Sequence, residues 1–353
     1  MGVESADSKS ARSKKGTNKV GLTVKDYRGG ASTLCAGCGH DAVTNQIIKA
    51  MFLSGVNPYQ VAKMSGIGCS SKTPAYFLSK AHGFNTVHGR MPSVATGAVL
   101  ANRNLVCIGV SGDGDTASIG IGQFCHMLRR NVPMIYIVEN NGVYGLTKGQ
   151  FSATADIGSK LKTGVTNDLP AIDLCSLAIE LGCSYVARSF AADPKQLVAL
   201  LQGALSHGGS CVLDVISPCV TFNNQPDSTK SYTWAKEHEE LLHEIDFVPY
   251  IEQLEPVDYE DGAVTDVEMH DGSHLRLRKV ERDFDPMNKV RALEVLRQSA
   301  DAGEFLTGLI YVNPVGENFI DRLSLIEKPL HQMDERQLRP PKEALEEAMR
   351  ELA

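Results

Sequence analysis

Three short runs in this chain are apolar without alternating: Leu105-Val-Cys-Ile-Gly-Val110, Val132-Pro-Met-Ile-Tyr-Ile-Val138 and Cys211-Val-Leu-Asp-Val-Ile216. A strand with one wet face alternates apolar and polar residues, whereas a run like these is buried on both faces. Helical periodicities surround the runs. Asp41 to Phe52 sets Val43, Ile47, Ile48 and Met51 on one side, and Pro92 to Ala101, Ala117 to Arg130, Ile172 to Leu181 and Pro194 to Leu205 also read as helices. Strands alternating with helices of this length predict right-handed crossovers and an α/β fold, a parallel sheet flanked by helices. Ligands in such folds sit beyond the carboxyl ends of the strands, so the chemistry is to be sought in the loops that follow them.

The rest of the chain frames that unit. Residues 1–24 carry Lys9, Arg12, Lys14, Lys15 and Lys19 among small polar residues with no apolar core. They read as a disordered basic tail and not as an export signal. Residues 25–225 form the binding domain. Residues 226–353 read as a mixed extension for packing or subunit contact. In it Trp234 to Glu244 looks helical, Val264 to Val280 alternates around an Asp271-Gly272 hairpin turn, Gly308 to Val312 looks like a strand, and Lys342 to Leu352 is a charged helix. No apolar run approaches the roughly 18 residues of a membrane span. A formal charge of −7 argues against nucleic acid as a partner. Nine cysteines, an odd number, point to a reducing, cytoplasmic setting in which thiols pack or bind metal.

The run at 105–110 leads into Ser111-Gly-Asp-Gly-Asp115, and the run at 132–138 into Glu139-Asn-Asn-Gly-Val-Tyr-Gly145. If the two strands are neighbours, Asp113 and Asn141 stand side by side at one sheet edge. That pairing suits a hard cation such as Mg²⁺, which takes a few oxygens from protein and the rest from phosphate and water. Asp113 offers a carboxylate, Asn141 an amide oxygen and Val143 a backbone carbonyl. The glycines and the helix expected after Asp115 suit a diphosphate. The Gly112-Asp113-Gly114 and Asn140-Asn141 pair, at this spacing, resembles the thiamine diphosphate motif.

The cysteines sort by context. Cys107, Cys125, Cys175, Cys183 and Cys211 lie in strands and helices and read as small buried apolar residues. Cys35 and Cys38 (in CAGCG), Cys69 (in GIGCSS) and Cys219 (in SPCV) lie in Gly- or Pro-marked loops. Four thiolates suit zinc or an iron–sulfur cluster. The single C-x-x-C pair is unlike a zinc ribbon, Gly39 before His40 breaks the haem-attachment pattern, and a redox disulfide would leave Cys69 and Cys219 idle.

Taken in order, CAGCG, GIGCSS, HGR at 88–90, GDGD, NNGVYGLTKGQ and SPC resemble the thiamine-binding β subunit of 2-oxoacid:ferredoxin oxidoreductases, over residues 33 to about 225. The resemblance implies the thiamine diphosphate-binding fold and one [4Fe–4S] cluster on Cys35, Cys38, Cys69 and Cys219. It implies Mg²⁺ on Asp113, Asn141 and the Val143 carbonyl, with Gly112, Gly114, Asp115 and Tyr144-Gly145-Leu146-Thr147 along the diphosphate and His88 and Arg90 near the cofactor. The activity implied is oxidative decarboxylation of a 2-oxoacid to its acyl-CoA with electrons passed to ferredoxin, or the reverse, CO₂-fixing direction. The wording of the motifs is closest to the 2-oxoglutarate branch, with pyruvate or branched-chain acids as alternatives and a cluster-free thiamine decarboxylase or synthase as the rival class. It further implies a partner α subunit that supplies the activating glutamate, in an αβ pair that dimerises. One departure stands out: many members read TGGQ where this chain has Thr147-Lys-Gly-Gln150.

Overall fold

The computed structural model describes residues 16–161, 163–250, 264–279, 284–314, 316–323 and 325–352. Its centre is an eight-stranded sheet, in the order His82–Asn85, Val61–Ser65, Val106–Gly112, Met134–Asn140, Ser210–Ile216, Tyr185–Phe190, Phe305–Val312, Glu239–Leu241. The first six strands are parallel. Phe305–Val312 runs antiparallel to Tyr185–Phe190, and Glu239–Leu241 is parallel to Phe305–Val312. Every residue of Met134–Asn140 and Ser210–Ile216 is buried, which is why these strands do not alternate.

Burial on both faces requires two cores. Ile108, Ile135, Ile137 and Leu213 pack with helices Gly39–Leu53 and Pro194–His207. Cys107, Met134, Tyr136 and Val212 point the other way, onto helices Met91–Ala101, Ile121–Arg129 and Leu174–Glu180. Two of these helices, Leu174–Glu180 and Pro194–His207, have an aspartate cap at their entry. Asp193 accepts from the backbone N–H of Lys195 and Gln196, with Pro194 in the first turn, an arrangement that stabilises by about 1 kcal/mol.

The structure departs from the sequence reading in four places. Trp234 to Glu244 is not one helix: Tyr232–His238 is helical, and the chain then becomes two strands, Glu239–Leu241 and His243–Val248. Tertiary pairing overrides helix propensity here, because Glu239–Leu241 completes the central sheet and His243–Val248 pairs with His274–Lys279. Ala117 to Arg130 is broken at Gly120, with a π-helical turn Gly114–Ile119 before the helix Ile121–Arg129. A Cβ at Gly120 would sit 2.7 Å from the Asp115 carbonyl and 2.9 Å from the Gly89 Cα, so the break is where another loop presses in. The disordered tail expected through residue 24 is folded from Gly16, since the Asn18 amide donates to the Tyr27 hydroxyl at 2.7 Å and the Phe52 carbonyl at 2.9 Å; residues 1–15 lie outside the described residues. Cys125 is only partly buried, because the core face of its helix is Phe124, Met127 and Leu128.

The hairpin of the C-terminal region is present, Val264–Glu268 against His274–Lys279, with Gly272 at φ +78° in the turn; Val280 lies outside the described residues. The described C-terminal region thus adds two strands to the central sheet and a three-stranded sheet beside it.

Candidate functional site

The loops after Val61–Ser65, Val106–Gly112, Met134–Asn140 and Ser210–Ile216 leave the same edge of the sheet and meet the loop that precedes the Gly39–Leu53 helix. A small cleft forms there, lined by Ile67 to Ser70, Gly112 to Asp115, Asn141, Val143 to Gly145, His40 and Glu139. Asp113 is 1% exposed. Its Oδ2 accepts from the hydroxyls of Ser152 and Thr154, the latter at 2.7 Å. Its Oδ1 accepts from the backbone N–H of Asn141, at a long 3.4 Å. The expected neighbours Asp113 and Asn141 are therefore in contact across paired strands.

Asn141 shapes the turn that follows. Its side-chain oxygen accepts from the Val143 N–H at 3.1 Å, and its carbonyl accepts from Asn223 at 2.7 Å. Val143–Tyr144 then pairs with Gln150–Phe151 in a short hairpin, which returns the chain so that Ser152 and Thr154 face Asp113. Tyr144 lies across the Gly-Asp-Gly turn, donating to the Gly114 carbonyl at 2.9 Å, and a Cβ at Gly114 would run into its ring. Burial pushes the Asp113 carboxyl up from its ordinary range, against the bonds from Ser152 and Thr154. A bound cation would reverse that. The donor set of hard oxygens therefore fits Mg²⁺.

Asp115 is placed differently. It takes the Gly89 N–H on Oδ1 at 2.7 Å, and the Ile67 N–H at 3.1 Å and the Ser111 hydroxyl at 2.9 Å on Oδ2. Both oxygens are occupied in tying the Gly66-Ile67 and His88-Gly89-Arg90 loops to the sheet edge. His88 and Arg90 themselves are exposed on that tied loop, as are Leu146 and Thr147 on the hairpin. Lys148, the departure from the TGGQ wording, has φ +79°, a backbone conformation that suits glycine and strains a lysine.

The loop thiols gather beside the hairpin, and Cys69 among them also lines the cleft. A Cβ built on Gly145 would lie 3.3 Å from the Cys69 sulfur and 3.7 Å from that of Cys219. The Cys38 N–H donates to the Cys35 carbonyl at 3.1 Å, and the Gly39 N–H to the Pro218 carbonyl at 3.3 Å, which seats the CAGCG loop on the SPC loop. The Cys35 sulfur accepts from the Thr221 hydroxyl at 3.7 Å. Burial pushes the Cys38 thiol up to about 12, and Glu139, Cys219 and Cys69 add to the shift. Cys69 is raised by burial and then by Cys219. Thiols so placed become thiolates only around a positively charged body, and an all-sulfur set is soft, as an iron–sulfur cluster requires. Among the described residues no three His, Cys, Asp or Glu side chains converge as ligands of a single ion. Mg²⁺ with a diphosphate needs fewer protein ligands than that, and a cluster needs thiols spread around a body.

Sequence reasoning missed Ser152, Thr154, His40 and Glu139. Glu139 is fully buried, accepts from Thr73 at 3.0 Å on both oxygens and lies 3.6 Å from His40 Nδ1. The close approach is not a charged pair: burial lowers His40 to about 4, so the imidazole is neutral at pH 7, and burial also pushes the Glu139 carboxyl well above its ordinary value. A glutamate just before Asn-Asn and a histidine just after C-x-x-C-G were the available signals.

Comparison with known proteins agrees with this geometry. Residues 64–215 match the C-terminal TPP binding domain of thiamine pyrophosphate enzymes, which spans the Gly-Asp-Gly and Asn-Asn loops and ends at the SPC loop. The chain is 40% identical over 216 residues to a 2-oxoacid:ferredoxin oxidoreductase subunit beta from Sulfolobus, covering 61% of this chain and 68% of that one. It is 38% identical over 189 residues to the 2-oxoglutarate synthase subunit KorB of Methanocaldococcus jannaschii, covering 53% and 69%. A solved structure, the 2-oxoglutarate:ferredoxin oxidoreductase from Magnetococcus marinus with 2-oxoglutarate, coenzyme A and succinyl-CoA bound, superposes with a TM-score of 0.70 at 29% identity, over 91% of this chain and 97% of that one. With the fold, the domain match and the relatives in agreement, this chain belongs to the β-subunit family of the 2-oxoacid:ferredoxin oxidoreductases.

Proposed function

We propose that this chain is the cofactor-bearing half of an enzyme that oxidatively decarboxylates a 2-oxoacid, 2-oxoglutarate first among them, to its acyl-CoA and passes the electrons to ferredoxin. Asp113, Asn141 and the Val143 carbonyl hold Mg²⁺, and Gly112 to Asp115 with Tyr144 to Thr147 flank the diphosphate of thiamine diphosphate. Cys35, Cys38, Cys69 and Cys219 hold one [4Fe–4S] cluster, and His88 and Arg90 stand at the cofactor's rim. When bound, thiamine diphosphate supplies the carbon chemistry and the cluster takes up electrons.

The observation that carries this reading is the position of Gly145. It follows Val143 and Tyr144, which cover the Gly-Asp-Gly turn, and its missing side chain leaves room beside the sulfurs of Cys69 and Cys219. Cys69 itself lines the oxygen-lined cleft, so the two donor sets adjoin at this hairpin, and a cluster held there would lie close to a cofactor held in the cleft. The chain's own contribution is placement: the tied loops fix both donor sets on one rigid sheet edge. The choice of 2-oxoglutarate draws on relatives named 2-oxoglutarate synthase and on the solved structure with 2-oxoglutarate bound. The same machinery serves the reductive, CO₂-fixing direction when the ferredoxin is of low potential. An α subunit completes the site, in an αβ pair that dimerises in the cytoplasm.

The deciding experiment is anaerobic purification with its α subunit, followed by the visible spectrum, iron and acid-labile sulfide, and viologen reduction driven by 2-oxoglutarate and CoA. A colourless, iron-free protein that still decarboxylates would move it to the cluster-free thiamine enzymes. Reduction with pyruvate but not 2-oxoglutarate would correct the substrate alone.

A further inference from the structure

We infer that Ser152 and Thr154 are positioning residues for the metal: together they take one oxygen of Asp113 and so aim the other at the cation. The inference rests on the reading of Asp113 as a Mg²⁺ ligand and adds what holds it. A carboxylate on a turn has several rotamers, and each of its oxygens can serve as the ligand. Here Oδ2 is met by two hydroxyls, from Ser152 and from Thr154 at 2.7 Å, while no side chain among the described residues is bonded to Oδ1, which takes the Asn141 N–H at a long 3.4 Å. One oxygen is anchored and the other is left available.

Thr154 is in turn fixed from behind. Its hydroxyl lies 2.9 Å from Asn140 Oδ1. The Asn140 amide nitrogen donates to Asp214 Oδ1 at 3.0 Å, and Asp214 Oδ2 accepts from Arg188 Nε at 3.0 Å. Asp113, Asn140, Asp214 and Arg188 come from four strands or strand ends that are consecutive in the sheet, so this is a polar ladder running sideways across it. Thr154 and the four ladder residues are all at least nine-tenths buried. The hydroxyl proton of Thr154 has three acceptors in reach, Asp113, Asn140 and the Ser152 oxygen at 3.0 Å, and the ionised carboxylate of a metal ligand is the strongest. Partners that orient a metal's ligands in this way typically govern affinity by about 10- to 100-fold.

The test is the affinity of the full chain for Mg²⁺ in the presence of thiamine diphosphate, by calorimetry, with Mn²⁺ paramagnetic resonance as a spectroscopic check. Thr154→Val keeps the shape and removes the hydroxyl; it should weaken metal binding about tenfold, and Ser152→Ala with Thr154→Val about a hundredfold. Thr154→Ser should restore affinity to within about threefold of the original. A merely structural role would lower the melting temperature and leave the metal affinity alone. Asp113→Ala separates the two levels. If it abolishes metal binding while Thr154→Val and Ser152→Ala bind as well as the original chain, the positioning role is wrong and the reading beneath it stands. If Asp113→Ala itself binds Mg²⁺ normally, the reading falls.

Discussion

His40 Nδ1 lies 2.6 Å from the hydroxyl of Ser217, and that buried contact joins two loops 177 residues apart in sequence. His40 follows directly on the loop with Cys35 and Cys38, and Ser217 stands two residues before Cys219. The bond therefore sets the spacing of three of the four thiols. Ser217→Ala leaves the neutral imidazole without its close partner, at about 1–3 kcal/mol. The expected outcome is a chain that folds but holds its iron poorly, read as faster bleaching of the visible spectrum in air. An unchanged bleaching rate would detach this contact from the thiol site.

The cysteine assignment separates loop thiols from packed ones. Replacing Cys35, Cys38, Cys69 or Cys219 with Ser should lower iron to well under half of the original content. Cys107→Ser and Cys175→Ser, both in the core, should cost stability and leave iron content as it was. Gly145→Ala is the finer probe, because its methyl would meet the Cys69 sulfur at 3.3 Å. Dye reduction should slow more than cofactor binding weakens. Equal iron in all four serine variants would end the cluster proposal.

The oxygen-lined half should fail independently. Asp113→Ala and Asn141→Ala remove ligand oxygens from a cleft that has no Lys or Arg among its lining residues, so an unbridged diphosphate meets no compensating charge and whichever carboxylates remain. Calorimetry with Mg²⁺ and thiamine diphosphate should find no binding, while iron stays near the original level.

Stability should fall on acidification. Burial lowers His243 to about 4 and His207 to about 3 from an ordinary 6.5. His243 Nε2 accepts the Leu309 N–H at 3.1 Å, so it is held as the neutral ring. The unfolded chain binds protons below about pH 6.5 and the folded one does not, so the contribution is complete above that pH and is lost as pH falls toward 4; for His243 it is about 3 kcal/mol. Glu139, held well above its usual value, works in the opposite sense, its contribution present at low pH and lost as pH rises. The raised carboxyls of Asp113 and Glu239 act in the same sense as Glu139, and the three imidazoles, His40 included, are expected to set the sign between about pH 6.5 and 4.5. Melting temperature against pH should slope downward on the acid side, and more gently in His207→Gln, His243→Gln.

Much of this was legible because burial on both faces leaves runs such as 134–138 without polar interruption. Val61–Ser65 and Tyr185–Phe190 were harder to see, since each contains a buried cation. Lys63 is accommodated by the Phe77 carbonyl at 2.6 Å, and Arg188 by Asp214 and Asp173. Such residues read as surface until their partners are known. Gly-Asp-Gly and Asn-Asn were visible as a pair because adjacent strands deliver them to the same edge. Ser152 and Thr154 were not, because hydroxyls after a turn are commonplace and only the hairpin's return brings them to Asp113.

The last prediction follows from the carboxylates of the cleft. Activation of thiamine needs a carboxyl that hydrogen-bonds the aminopyrimidine ring, well away from the diphosphate. The cleft is lined by three carboxylates among the described residues, and each is otherwise engaged. Asp113 is bonded to Ser152 and Thr154 and is the proposed metal ligand, Asp115 has three hydrogen bonds on its two oxygens, and Glu139 is fully buried against Thr73 and His40. Freeing Asp115 would untie two loops, and freeing Glu139 would strand a buried acid. The activating carboxyl is therefore expected from the α subunit, with the cofactor lying across the interface. The chain alone should keep its iron and reduce viologen with 2-oxoglutarate and CoA at under about a hundredth of the rate of the αβ complex, a deficit of roughly 3 kcal/mol or more in barrier terms. Addition of the α subunit should restore the rate, and an α subunit lacking the glutamate should restore cofactor binding without turnover. Full turnover by the chain alone would return the search to Glu139.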